Sequence, residues 1–325
     1  MKAIVTGATG FTGFALCKRL LRDGWEVTAF VRSSPRVEPL RELGIGCVEV
    51  DITSAASIRA AMRPVDRVFH VAALYRTEDV NREMFERINV RAVEHLASAA
   101  GQVGVGRFVH CSTVGVQGHI EDPPADEEYR FKPNDHYQRT KLQGEEAARR
   151  HFRNGLAGVV IRPAPIYGPG DLRFLKLFKA IERGAFVMIG SGETLYHMTY
   201  IDDLIDGFLL ASESPAALGE VFTIAGPRYA SIRETVELIA RILGKAPPQL
   251  RVPLWPVHAA AVACETLCRP LGINPPLYPR RVEFFAMDRA FTTEKARRML
   301  GYSPRVELEE GLRNTAEWYR EQRLL

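Results

Sequence analysis

The sequence predicts an α/β protein built on a doubly wound parallel sheet, followed by a smaller, mostly helical C-terminal part. Two observations lead to this prediction. In the first half of the 325-residue chain, short apolar runs alternate with amphipathic helical patterns, which is typical of a parallel sheet covered by helices on both faces. After Pro163, closely spaced prolines and glycines interrupt the alternation, so we expect a second unit to begin there.

Six strands and five helices are predicted in the first half. The strands are Ala3–Val5, Glu26–Val31, Gly46–Val50, Arg67–Val71, Arg107–Cys111 and Gly158–Arg162. The helices are Phe14–Arg22, Val37–Leu43, Ala55–Met62, Val80–Ala100 and His136–Arg153. Because crossovers between parallel strands are right-handed, the carboxyl ends of the strands meet at one edge of the sheet, where ligands bind.

The second half contains further helices and one return to the sheet. The expected elements are helices Leu172–Arg183, Asp203–Ser212, Ile232–Leu243, Pro256–Leu267 and Leu308–Arg320, and a strand at Glu220–Ile224. We therefore expect one domain over residues 1–165, with returns near 199–224, and an interleaved cap domain over residues 166–325.

The composition is that of an ordinary globular protein. Hydrophobic residues make up 46% and charged residues 25% of the chain, and the net charge of +4 is spread along it, so no nucleic-acid partner is indicated. The five cysteines form no CxxC pair, which favours a reduced, cytoplasmic protein without disulfides or a metal site. No signal peptide and no stretch long enough to span a bilayer is expected.

A glycine-rich segment separates the first strand from the first helix. Gly7, Gly10 and Gly13 follow the run Ala3–Val5 and precede the helical pattern Phe14–Arg22. Glycines at this spacing allow a tight turn, a close approach of a pyrophosphate and close packing of helix on strand. The N–H groups at the helix start then face the anion. An ordinary glycine turn is the alternative.

Tyr137 and Lys141 are four residues apart in the predicted helix His136–Arg153, and so lie on one face of it. Lowering the pKa of a phenol from about 10 to about 7 requires roughly 4 kcal/mol, which a neighbouring ammonium and a cationic nicotinamide together can supply. Tyr137 is therefore a candidate proton donor and acceptor. A surface Tyr–Lys pair is the alternative reading.

Two hydroxyl residues follow the fifth predicted strand. Ser112 and Thr113 come directly after Cys111, at the edge where ligands are expected. A hydroxyl there can bond a substrate oxygen while Tyr137 transfers a proton. A simple cap of the strand end is the alternative.

These motifs, in this order, resemble the extended short-chain dehydrogenase/reductases, specifically the NAD-dependent epimerase/dehydratase family. The resemblance covers nearly the whole chain and implies a Rossmann fold. Further matching segments are His70–Ala73, Asn89–Val90, Arg162–Gly170 and Tyr200–Asp203.

The resemblance implies roles for individual residues. Tyr137 is the expected acid/base, Lys141 lowers its pKa and bonds the nicotinamide ribose, and Thr113 orients the substrate oxygen. The other expected cofactor-binding residues are Gly7, Thr9, Gly10, Phe11, Gly13, Arg32, Ser33, Asp51, Ile52, Ala72, Ala73, Asn89, Ser112, Pro163 and Ile166. The candidate substrate residues are Tyr75, Val114, Ala164, His197 and Arg280. For His197 a structural role is the preferred interpretation, and for Arg280 the alternative is a solvated helix start. The resemblance also implies a homodimer formed through helices 80–100 and 136–153.

The end of the second strand indicates the cofactor type. An acidic residue there would bond the ribose 2′-hydroxyl of NAD. The chain has Arg32 and Ser33 instead, which suit a 2′-phosphate. We therefore predict that NADP is preferred and that NAD is possible, with an Arg32 that is merely exposed as the alternative.

Three functions are compatible with this pattern. The first is an NAD(P)-dependent oxidoreductase acting on a secondary alcohol or ketone of a small molecule, similar to 3β-hydroxysteroid-dehydrogenase-like and dihydroflavonol-reductase-like proteins. The second is a nucleotide-sugar 4-epimerase with tightly bound NAD, and the third is a non-catalytic cofactor sensor. Pro163–Pro165 and Tyr196 depart from the nucleotide-sugar pattern, and Val114 and Gly115 replace the acid pair of a dehydratase. We expect the oxidoreductase.

Overall fold

The structure, a computed structural model, describes residues 1–75, 81–268, 275–277 and 279–325. Its strands are β1 Lys2–Thr6, β2 Glu26–Val31, β3 Gly46–Glu49, β4 Arg67–His70, β5 Arg107–Cys111, β6 Gly158–Pro163, β7 Ile166–Tyr167, β8 Met188–Ile189, β9 Leu195–Tyr196, β10 Thr199–Tyr200, β11 Val221–Ile224, β12 Ala230–Ser231 and β13 Arg251–Val252.

The α-helices are α1 Phe11–Arg22, α2 Glu38–Glu42, α3 Ala55–Ala61, α4 Arg82–Glu86, α5 Ala92–Val103, α6 His136–Arg153, α7 Leu175–Glu182, α8 Ile201–Glu213, α9 Ile232–Ile242, α10 Leu254–Cys268, α11 Pro279–Glu283, α12 Glu294–Leu300 and α13 Leu308–Glu321. Short 3₁₀ turns cover Pro35–Val37, Val114–Gln117 and Pro215–Ala217, and a π-helical segment covers Arg87–Arg91.

A seven-stranded sheet of order β11-β6-β5-β4-β1-β2-β3 is the centre of the molecule. All six strand pairs in it are parallel. The order reverses at β1, so α1 and the helix after β4 leave the sheet on opposite sides of a crevice at its carboxyl edge. The doubly wound α/β fold predicted from the sequence is confirmed.

Helices cover both faces of the sheet because successive side chains of a strand point to opposite faces. Along β1, Ala3 and Val5 enter the apolar cluster that also contains Leu16 of α1. Ile4 enters the cluster that contains Leu96 of α5. Apart from the edge strand β3, whose residues are mostly exposed, the strands are buried on both faces, which explains their near-continuous apolar sequences.

Every predicted helix is observed, and one of them differs in form. The helix predicted over residues 80–100 begins at Arg82, and it includes the π-helical segment Arg87–Arg91 before continuing to Val103. Residue 80 lies outside the described part of the chain. The side chain of Asn81 caps the helix by accepting a hydrogen bond from the Glu83 amide at 3.1 Å.

The C-terminal half returns to the sheet once, through β11, which pairs with β6. This return was predicted, whereas the two-residue strands and the short helices α11 and α12 were not, because they span too few residues to show a period. The proposed boundary between domains at residue 165 stays a prediction.

All five thiols are free. Within residues 1–75, 81–268, 275–277 and 279–325, no cluster of three or more histidine, cysteine or acidic side chains is arranged to hold a metal ion. In the same ranges no helix combines the length and apolarity needed to cross a membrane.

Candidate active site

A cleft of about 900 Å³ opens at the carboxyl edge of the sheet. The loop after β1 and the ends of β2, β4, β5 and β6 form its floor, and the start of α6 forms one wall. Tyr196, Phe284 and Arg289 contribute a second wall from the C-terminal half. The cleft therefore lies where a doubly wound sheet binds its ligand.

The glycine loop forms a close backbone surface at one end of the cleft. Gly7 has φ +73°, and a Cβ on it would lie 2.7 Å from the amide nitrogen of Ala72. A Cβ on Gly13 would overlap the carbonyl oxygen of Gly7. Helix α1 begins directly after Gly10 with no acidic residue in its first turn, so its free N–H groups suit a pyrophosphate.

Tyr137 and Lys141 face the cleft from the first turns of α6. Asp135 caps this helix by accepting a hydrogen bond from the Gln138 amide at 2.7 Å. Tyr137 is the second residue of an 18-residue helix, where the helix dipole favours a negative charge. The ring of Tyr75 packs edge-on against Tyr137, with ring centroids 5.0 Å apart.

Lys141 is held by the backbone at the end of β5. Its Nζ donates a hydrogen bond of 2.6 Å to the carbonyl of Cys111, and the side chain is buried. Burial lowers the pKa of this ammonium because a low-dielectric site disfavours the charged form.

Ser112 and Thr113 use their hydroxyls differently. The Ser112 hydroxyl donates to Glu145 Oε2 at 2.6 Å, so its proton is directed away from the cleft. Thr113 Oγ1 accepts a hydrogen bond from the Gly115 amide at 3.1 Å, which leaves its own proton for another acceptor. Both residues line the cleft, and this geometry favours Thr113 as the hydroxyl for a substrate oxygen.

A buried ion pair supports the floor of the site. Glu145 of α6 accepts two hydrogen bonds from Arg162 of β6, at 3.0 Å from Nε and 2.6 Å from Nη2. Both side chains are 1% exposed. Arg162 also donates to the carbonyl of Glu127 at 2.8 Å. Together with the Ser112 hydroxyl, this pair ties α6 to β5 and β6.

Two neutral histidines lie beneath the site. The rings of His70 and His110 are 5.4 Å apart and fully buried. Burial lowers the pKa of His70 to about 3 and that of His110 well below its usual value. Both rings are therefore uncharged at physiological pH. The nearby charge of Lys141 also contributes to the lowered pKa of each ring. His70 Nδ1 is 2.7 Å from the Thr6 hydroxyl.

The end of the cleft next to the carboxyl ends of β2 and β3 is positively charged. Arg32 and Arg87 line it together with Asp51. The pKa of Asp51 is lowered chiefly by its hydrogen bonds with Thr53, and the two arginines lower it further. Arg87 Nη2 donates to the Thr53 hydroxyl at 3.0 Å. A nucleotide bound here would meet two guanidinium groups.

Most of the predicted site residues line this one cleft. They are Gly7, Thr9, Gly10, Phe11, Gly13, Arg32, Asp51, Ile52, Ala72, Ala73, Tyr75, Ser112, Thr113, Val114, Tyr137, Lys141, Pro163, Ala164 and Ile166. The spacing of glycines, the loop length and the apolar neighbours thus fit a dinucleotide along the sheet edge.

Three predicted residues are not among those that line the cleft. Ser33 is exposed next to it. Asn89 is buried. Its side-chain oxygen accepts a hydrogen bond from the Leu74 amide, and its side-chain nitrogen donates to the Leu74 carbonyl and to the Thr140 hydroxyl. His197 is buried with both ring nitrogens near backbone carbonyls, at 3.1 and 3.0 Å, which is the structural role. The side chain of Arg280 lies outside the described part of the structure.

Tyr196, noted in the sequence only as a departure from the nucleotide-sugar pattern, also lines the cleft. Several other lining residues were missed by sequence reasoning, among them Arg87, Arg173, Phe284 and Arg289. Arg173 bonds Asp171 at 2.6 Å and lies between the rings of Phe11 and Tyr75, with distances of 5.8 and 5.9 Å to the ring centroids. Except for Arg87, these residues come from the C-terminal half, where no motif marked them.

The chain belongs to the NAD-dependent epimerase/dehydratase family, whose model matches residues 3–225. It is thus an enzyme of the extended short-chain dehydrogenase/reductase type, in a family of NAD-dependent oxidoreductases and epimerases.

Individual relatives match over nearly their whole length. A 2-alkyl-3-oxoalkanoate reductase of Stenotrophomonas maltophilia is 30% identical, over 96% of this chain and 98% of the relative. A 3-beta-hydroxysteroid dehydrogenase of Mycolicibacterium neoaurum is 31% identical, over 98% and 91%. The crystal structure of a UDP-glucuronic acid 4-epimerase from Bacillus cereus in complex with NAD superimposes with a TM-score of 0.77 at 25% identity, over 99% of each chain.

Proposed function

We propose that the protein is an NAD(P)-dependent oxidoreductase that interconverts a secondary alcohol and a ketone on a small, largely apolar molecule. The observation that carries the proposal is the placement of Tyr137 and Lys141 on the first turns of α6, facing the end of β5. The glycine loop lies in the same cleft, so a dinucleotide held there reaches towards Tyr137.

Each residue has one task in the reaction. The glycine loop and the ends of β2 and β4 would hold the dinucleotide, and its nicotinamide would supply the hydride chemistry at the carbonyl or alcohol carbon. In the reduction, the Tyr137 hydroxyl gives its proton to the carbonyl oxygen, and solvent returns a proton to the phenolate. Lys141 and the N-terminus of α6 stabilise that phenolate. Thr113 donates a hydrogen bond to the reacting oxygen.

The aromatic lining of the cleft supports an apolar substrate. Rings of Tyr75, Phe174, Tyr196 and Phe284 line the cleft, and such surfaces suit apolar bodies. Of the three enzymes named above, the two matched by sequence are a 2-alkyl-3-oxoalkanoate reductase and a 3-beta-hydroxysteroid dehydrogenase. Both names describe oxygen chemistry at a carbon of an apolar skeleton.

The balance of cofactor and substrate tests this proposal. The purified protein is incubated with NADPH or NADH and, in turn, a 3-ketosteroid, a 2-alkyl-3-oxoalkanoate and UDP-glucose, while the nicotinamide absorbance is followed. We expect one reduced nicotinamide to be consumed per ketone reduced. Interconversion of nucleotide sugars with tightly bound NAD and no net consumption would contradict the proposal and identify an epimerase.

We further infer that NADP is preferred over NAD, because Arg32 lines the cleft at the end of β2 where no acidic residue stands. Arg32→Asp should shift the ratio of kcat/KM for NADP over NAD by about 10- to 100-fold towards NAD, the value of one charge-assisted hydrogen bond. Arg36→Asp is the matched control, because Arg36 is exposed in the next turn and is not one of the cleft-lining residues. Equal shifts in both variants would refute the assignment. The homodimer expected through helices 80–100 and 136–153 stays a prediction.

A further inference from the structure

Helix α10, Leu254–Cys268, has an unusual surface. Glu265 is its one acidic residue, and the helix contains no lysine or arginine. Ala261 is its one fully buried residue, whereas Trp255 is 75% exposed and Leu267 is 69% exposed. A helix of this composition is normally found in a protein core, and an exposed apolar patch normally marks an interaction site.

The exposed apolar residues form one continuous sector. With 3.6 residues per turn, they cover roughly 160° of the helix circumference. They are Trp255, Ala259, Ala260, Val262, Ala263 and Leu267. Thr266 lies in the same sector, but its hydroxyl donates to the Val262 carbonyl at 2.8 Å, so it adds no polar group that needs water. The sector thus presents no charge.

Two exposed cations precede α10 in the chain. Lys245 and Arg251 precede α10 and are exposed, as is Leu250 between them. Apolar side chains beside lysine and arginine match the boundary of an anionic bilayer, where lipid tails take the former and headgroups the latter. Trp255, at the start of the helix, is of the residue type enriched at that boundary.

The length of α10 bears on how the helix could meet a membrane. The helix has 15 residues and is about 22 Å long, which is shorter than the roughly 30 Å hydrocarbon core. It therefore fits the plane of the headgroup boundary rather than a span.

We propose that α10 docks the protein onto the surface of an anionic membrane, with the Trp255 sector buried among the lipids. Helix α10 packs against α11, Pro279–Glu283, and Glu283 and Phe284 line the cleft. Helix α10 is thus next to an element of the cleft wall. Docking would bring the cleft close to a bilayer that holds an apolar substrate, a step that rests on the proposed function, whereas the docking does not.

Vesicle binding tests the docking without any substrate. The full-length protein is mixed with vesicles of phosphatidylcholine, or of phosphatidylcholine with phosphatidylglycerol, and recovered by flotation. We expect it to float with the anionic vesicles, and the Trp255 fluorescence to shift to shorter wavelength. Of the three tryptophans, Trp25 is buried and Trp318 is partly buried, so Trp255→Phe should abolish most of the shift.

Variants identify the surface that binds. The double variant Trp255→Glu/Val262→Glu should weaken vesicle binding by about tenfold or more, because two charges enter the apolar layer. Lys245→Gln and Arg251→Gln should each weaken it roughly fivefold. Leu218→Glu is the matched control. Leu218 is 48% exposed and lies in the turn that precedes β11, at the amino end of that strand.

The outcomes are distinct. Flotation that is lost in the double variant and retained in Leu218→Glu supports the proposal, provided that both variants still bind the nicotinamide cofactor. Absence of flotation, or equal flotation of the two variants, overturns it. A molar mass in light scattering that falls by half in the double variant, with no vesicle binding by the parent, assigns the sector to a second copy of the chain instead. A failed ketone reduction leaves these results unaffected.

Discussion

Replacing Tyr137 by phenylalanine should lower kcat for ketone reduction by about 10²- to 10⁴-fold, the usual contribution of a positioned proton donor. The substitution removes one hydroxyl and leaves the ring, which packs against Tyr75 at 5.0 Å between centroids. The affinity for the nicotinamide cofactor should change little, because most of the proposed cofactor contacts lie in the glycine loop and at the ends of β2 and β4. Steady-state kinetics and a fluorescence titration of the cofactor measure the two effects separately.

Tyr75→Phe provides the matched control for this prediction. It makes the same chemical change on the neighbouring ring, which also lines the cleft. We expect it to change kcat by only a few fold, because Tyr75 has neither a position at a helix N-terminus nor a lysine one turn away. If both variants lost activity equally, the loss would reflect the shape of the aromatic wall. If Tyr137→Phe retained full activity, the proton would come from another group.

The parts of the site that follow from local spacing are predictable from the sequence. Three glycines between a strand and a helix, and a tyrosine four residues before a lysine, have defined geometry whatever the rest of the chain does. Asn89 shows the limit of this reasoning. Its match to the family segment suggested a cofactor contact, but the side chain bonds Leu74 and Thr140 inside the protein.

The second wall of the cleft could not be predicted for a different reason. Arg173, Tyr196 and Arg289 come from irregular segments far apart in the chain, and only tertiary packing brings them to one surface. Arg173, for example, is positioned by Asp171 and by two rings that belong to distant elements. No periodicity or spacing in the sequence predicts that these three side chains lie together.

The ion pair under the site was also missed, because no spacing in the sequence connects Glu145 with Arg162. The structure places Glu145 one turn after Lys141 and bonds it to Ser112 as well as to Arg162. A buried pair of this kind gives little net stability relative to an apolar pair, since both charges lose their hydration. Removing only one of the two charges is expected to be strongly destabilising, because the other charge stays buried without its partner.

Glu145→Ala should therefore lower the free energy of unfolding by about 3–5 kcal/mol, because it leaves the Arg162 guanidinium buried without its counter-charge. Urea unfolding at neutral pH measures this loss. Glu146→Ala is the control, since Glu146 is the next residue on α6 and is exposed, and its effect should stay within about 0.5 kcal/mol.

The double variant Glu145→Leu/Arg162→Met separates charge from packing. If the unpaired guanidinium causes the instability of Glu145→Ala, removing both charges should recover most of the lost stability. The double variant would still lack the carboxylate that accepts the Ser112 proton, so Ser112 would be free to turn towards the cleft. We expect a folded protein whose kcat is lower than that of the parent. Equal instability of the single and double variants would mean that Glu145 acts through packing alone.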